Sequence, residues 1–129
     1  NSAAVLMNQG RYEETEHEFN KVIPTAERVL GQEHPTTLMA KQNLAAVLMN
    51  QGRYEGAEQE FNKVIPIAER VLGDEHPTTL MVKQNLAGVL MNQGRYEEAE
   101  QEFNKVIPIA ERVLGNENPT TLMVKQNLA

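Results

Sequence analysis

The chain has 129 residues, 40% apolar and 23% charged, which is enough apolar content to bury a core, and its formal net charge of −6 opposes the phosphate attraction behind nucleic-acid affinity. There is no cysteine and no apolar run of about 18 residues or more, so neither a disulfide framework, a thiolate metal site nor a membrane-spanning helix is expected. The first residues lack the basic start and long apolar stretch of a secretory signal, and a cytoplasmic setting without nucleic-acid or membrane partners is the expectation.

The hexapeptide NQGRYE occurs at residues 8–13, 50–55 and 92–97, each time 42 residues on. Aligning the chain with itself about these joints divides it into units 4–45, 46–87 and 88–129, with residues 1–3 left from an earlier unit. The second and third units agree at 38 of 42 positions, differing at Ala46/Gly88, Gly56/Glu98, Asp74/Asn116 and His76/Asn118. A period of this length marks a solenoid, in which each unit buries its apolar face only against its neighbours. One repeat domain over residues 1–129 is expected.

Each unit holds a leading and a trailing helix. The leading helix, as at 35–51, has Pro35 at its start and Gly52 just past its end. His34 occupies the cap position, which Asn118, a better acceptor, fills in the third unit. Leu38, Leu44, Ala45 and Leu48, flanked by Ala40 and Val47, form its apolar face. The joint follows, and NQGRYE predicts a helix stopped at glycine and another begun at tyrosine in all three copies.

The trailing helix, as at 54–72, places Tyr54, Ala57, Phe61, Val64, Ile65, Ala68, Val71 and Leu72 at helical spacing. Glu55 and Glu58 near its start and Arg70 near its end suit the helix dipole. Pro66 falls on the polar side, so the helix is expected to bend there without ending, as at Pro24 and Pro108. Short connections require antiparallel neighbours. The chain starts and stops within leading-helix sequence, which reads as a piece of a longer array.

The run NLAAVLMNQGRYEGAEQEF followed by IAERVLGDEHPTTL resembles a tetratricopeptide repeat in a long, 42-residue form, of the type found in kinesin light chains. Similar arrays end many fungal NB-ARC or NACHT receptor-like proteins. The resemblance implies an all-α fold, a right-handed α-solenoid of antiparallel helix hairpins, and a non-enzymatic scaffold that binds a protein or peptide. In the family the leading helices line a concave groove for an extended peptide or partner helix. Carried over, this implies Met39, Gln42, Asn43, Ala46, Met49 and Asn50, then Met81, Gln84, Asn85, Gly88, Met91 and Asn92. Ala4, Met7 and Asn8 extend the row before them, and Met123, Gln126 and Asn127 after.

The helical wheel supports the same stripe, too polar for core and too free of charge for ordinary solvent surface. Amides can donate to and accept from a peptide backbone, and methionine gives adaptable apolar contact. Members that clamp a terminal carboxylate use lysine and arginine in the groove, where this chain has Gln42, Ala46 and Met39. Lys41, Lys83 and Lys125 stand where shorter repeats carry a large apolar residue, and are expected to snorkel outward or to pair with a glutamate such as Glu27 or Glu69.

Catalysis has little to draw on. The only serine is Ser2, and His17, His34 and His76 do not assemble a ligand set, since the third unit replaces the last with Asn118. The glutamates from Glu13 to Glu18 read as a solvated face, and Gly52-Arg53-Tyr54 lacks the lysine of a phosphate loop. No enzyme activity, metal or cofactor is expected. A structural alternative is a self-associating array, in which the incomplete leading helices at the two ends dock head to tail.

Overall fold

Proline at a first turn and glycine beyond a last one divide the chain into helices close to those expected. The computed structural model describes residues 2–115, 122 and 125. Among these it is all-α, with α1 (Ser2–Leu30), α2 (Pro35–Asn50), α3 (Tyr54–Val71), α4 (Pro77–Asn92) and α5 (Tyr96–Leu114). The cap expected at Asn118 lies outside the described residues, as does most of the leading helix from Pro119; Leu122 and Lys125 are helical.

Each start has a local cause. His34 Nδ1 accepts the Thr36 N–H at 3.1 Å and His76 Nδ1 that of Thr78 at 3.1 Å, so both histidines serve as caps. Each leading helix ends in a Schellman turn. Gly52, at φ 80°, donates to the Met49 carbonyl at 3.0 Å while Arg53 donates to that of Leu48 at 2.9 Å. Gly94 and Arg95 repeat both bonds on Met91 and Leu90 at the same distances. Only glycine accepts that φ without strain.

The first joint is different, and corrects the expectation of three alike. α1 runs unbroken through Gly10, which is not among the glycines at positive φ. A turn repays its ordering only if the folded-back helix buries apolar surface. The leading helix α2 offers 16 residues to α3, whereas in this chain at most nine precede Gly10. Continuing the helix keeps every backbone bond at a cost of about 1 kcal/mol for an interior glycine.

Packing follows sequence order: α1 on α2, α2 on α3, α3 on α4 and α4 on α5, with α2 also touching α4. Three-residue connections at 51–53 and 93–95 make these neighbours antiparallel. Leu38, Ala45 and Leu48 of α2 share a core with Ala57, Phe61, Val64 and Ala68 of α3, continued by Leu80, Ala87, Phe103 and Val106. Two expectations need correcting. Val71 is exposed, because the helix presents it beyond the edge of the core, and Val47 is only half-buried.

Pro24, Pro66 and Pro108 lie inside helices that continue past them, and each is exposed. On the solvent side water solvates the carbonyl that the missing N–H leaves free. Replacing Pro66 with alanine restores that bond without disturbing the core, and should raise the urea midpoint by an equivalent of roughly 1–3 kcal/mol. An unchanged or lowered midpoint would contradict this account of the proline.

Candidate functional site

The residues expected to line a groove divide by burial. On α2, Met39, Asn43 and Asn50 are exposed and Ala46 and Met49 half-buried. On α4, Met81 and Asn92 are exposed and Asn85, Gly88 and Met91 half-buried. A Cβ built on Gly88 meets nothing within 4 Å, so this position faces open space. Since α2 touches α4, the two rows are neighbours. The side chains of Ala4, Met7, Asn8, Met123, Gln126 and Asn127 lie outside the described residues.

Gln42 and Gln84 must be withdrawn from the exposed stripe. They retain only 3% and 8% of their exposure. The wheel of one helix places them at the edge of its apolar face, and packing with the neighbouring helices moves that edge past them. The Gln42 Oε1 is buried with no hydrogen-bond partner among the described residues, a state that costs on the order of 1–3 kcal/mol. Thr37 and Thr79 are also wholly buried, and the Thr79 hydroxyl donates to the Ala68 carbonyl at 3.4 Å. A threonine after proline at a helix start gives no sign of this, because burial there depends on the preceding trailing helix.

Charge is kept off the exposed rows. Lys41 and Lys83 are the only charged residues of α2 and α4, and each reaches back to a trailing helix. Lys41 Nζ lies 2.7 Å from Glu27, Lys83 Nζ 2.7 Å from Glu69, and Lys125 Nζ 2.6 Å from Glu111. Of the two expected fates, pairing prevails over snorkelling. Arginines act at the hairpin tips: Arg95 pairs with Glu58 and Glu98, and these carboxylates, Glu98 first, raise the guanidinium above its ordinary pKa. Tyr96 beside it is 67% exposed, against a half-buried Tyr54, so tyrosine packing holds in one hairpin and not the other.

Two concavities border α1 and α2. One of about 440 Å³ is lined by Phe19, Pro35, Thr36, Met39, Ala40 and Asn43, which adds Phe19 to the residues expected around the row. The other, of about 550 Å³, is formed by Val22, Ala26, Val29 and Leu30 with Lys21, Thr25 and Thr36. No three His, Cys, Asp or Glu side chains among the described residues are grouped to hold a metal ion. No helix among them is long and apolar enough to cross a membrane.

Paired helices stacked in sequence order, with a glycine turn inside each pair and an uncharged face on α2 and α4, define an α-solenoid of interaction-repeat type. The tetratricopeptide repeat model matches residues 1–36, 37–78 and 78–129, and the chain belongs to the tetratricopeptide repeat family. No curated protein matches this sequence. Among solved structures, two sets of nearly identical TPR-like repeats from Podosopora anserina with a kinesin light chain designation are similar. The first, a glutamine-to-methionine variant, shares 27% identity at TM-score 0.86, and the second 26% at 0.85. BtubC (BKLC) from P. vanneervenii has the same fold, with 20% identity and TM-score 0.82. Each match covers 98% of this chain, which spans 60%, 61% and 50% of those chains respectively.

Gln42 supplies a test of the corrected assignment. Replacing it with leucine, of similar volume, removes an unpartnered acceptor and should leave the denaturation midpoint unchanged or raised by up to about 1 kcal/mol. A loss beyond about 2 kcal/mol would show that the amide makes contacts this structure does not contain.

Proposed function

We propose that this chain is a non-enzymatic scaffold that holds an extended peptide or a partner helix along the exposed rows of α2 and α4. The observation that carries the reading is the recurrence of Met39, Asn43 and Asn50 as Met81, Asn85 and Asn92, on two adjacent helices free of unpaired charge. Membership of a family that generally mediates protein–protein interaction supports it. Asparagines at these places can satisfy a bound main chain, and the methionines between them fit varied apolar side chains. Packed hairpins hold the rows in place beforehand, so less ordering entropy opposes binding. Ala46, Gly88, Met49 and Met91 complete the surface. The same reading takes residues 1–129 as one domain of 42-residue units in a cytoplasmic setting, with no nucleic-acid or membrane partner.

A second surface favours self-association. Val22 is 49% exposed although its counterparts Val64 and Val106 are 1% exposed, and Leu122 is 51% exposed although Leu38 and Leu80 are wholly buried. The two ends thus present the two halves of one internal contact.

The groove reading is tested with a peptide selected on the chain from a random display library. Changing Asn43 and Asn85 together to alanine should weaken that peptide about tenfold, with the denaturation midpoint almost unchanged. Its affinity should vary little with salt, because the rows carry no charge. Undiminished affinity, or folding lost in step with binding, would defeat the proposal.

A further inference from the structure

All six methionines of the chain fall on the leading-helix rows by sequence position, and there is no cysteine and no tryptophan. Thioethers are therefore the side chains that a peroxide attacks first. The four whose surroundings are described fall into two kinds. Met39 and Met81 keep 40% and 42% of their exposure, whereas Met49 and Met91 are half-buried and packed against the core. Met81 stays open with α2 packed beside α4, so its access belongs to the face itself and recurs from one leading helix to the other.

Each open methionine precedes an asparagine of the row by about one helical turn, Met39 before Asn43 on α2 and Met81 before Asn85 on α4. Side chains at this spacing are neighbours, and the later one leans back over the earlier. A thioether sulfur accepts hydrogen bonds only weakly, so Met39 and Met81 leave the amide donors of Asn43 and Asn85 to the carbonyls of a bound main chain. A sulfoxide in the same place carries a polar oxygen that accepts from those donors.

Resting on the groove reading above, we propose that Met39 and Met81 are oxidation sites through which hydrogen peroxide releases the partner. The Sδ lone pair attacks one peroxide oxygen and the O–O bond breaks. That oxygen stays on sulfur, and its proton leaves with the other oxygen as water, so sulfur gives up the two electrons that the peroxide gains. Two losses follow for binding. The adaptable apolar contact becomes polar, and the new oxygen takes the asparagine N–H that would meet the partner's main chain. No net charge is added and the open pair lies off the core, so the fold persists. Two thiols of a reductant reverse the step, carrying the oxygen off as water and joining as a disulfide, with one reductase for each sulfoxide epimer.

The test treats the chain with limiting hydrogen peroxide and follows each methionine by mass spectrometry, alongside affinity for the peptide selected on the untreated chain. Met39 and Met81 should oxidise about fivefold or more faster than Met49 and Met91. Their conversion should weaken the peptide about tenfold with the denaturation midpoint unchanged, and sulfoxide reductases with a dithiol should restore it. A chain with Met39→Leu and Met81→Leu sets its own starting affinity, which the same treatment should change less than about twofold. If Asn43→Ala with Asn85→Ala leaves the untreated chain's affinity undiminished, the groove reading falls and this proposal with it. If that pair weakens the peptide while oxidation of Met39 and Met81 does not, this proposal alone is overturned. It is likewise overturned if Met49 and Met91 oxidise as fast, if the leucine chain loses affinity equally, or if affinity falls only in step with the midpoint.

Discussion

Leu38 and Leu80, each wholly buried, sit on leading helices that are packed between two trailing helices, α2 between α1 and α3, and α4 between α3 and α5. An amphipathic helix of this length has little stability alone, and most of its support comes from the surface it buries. In this arrangement a leading helix has two apolar flanks and needs both neighbours. Phe61 and Phe103 fill the trailing side of that contact, and Ala57, Ala68, Ala99 and Ala110 let the backbones approach. The turn at Gly52, the exposure of Val22 and the unbroken α1 all follow from whether a given helix finds both neighbours.

Charge is organised around this core and not within the exposed rows. The lysines of the leading helices pair with trailing-helix glutamates, and the arginines of the trailing helices and tips reach glutamates of the unit before. Exposed pairs of this kind contribute little stability each. Their constant spacing instead favours one register, because a shifted helix would set like charges together. The rows on α2 and α4 are left to amides and methionines, so the surface proposed for a partner and the charges that align the units do not compete.

Much of this was legible in the sequence, since caps, glycine stops and 3.6-residue spacing act locally. The helix bounds, the histidine caps and the continuation through Pro66 needed only such signals. Gly10 shows the limit: NQGRYE turns at Gly52 and Gly94 but not at Gly10, and the difference lies in the helix available to fold back. Gln42 shows another, because a wheel drawn for one helix does not record how far its neighbours overlap it. Val89 is wholly buried while Val47, its counterpart, is half-buried; α4 has α2 beside it, and α2 has no leading helix on that flank. The chemistry of the rows was readable, but the neighbours that decide which amides stay accessible were not.

Native-state hydrogen exchange resolved by residue tests most directly whether burial between two neighbouring helices sets local stability. The account predicts the slowest amide exchange in α2, α3 and α4, which have neighbours on both sides, and the fastest among the helical residues of α1 before Gly10. Equal protection along all five helices, or α1 as the most protected, would contradict it.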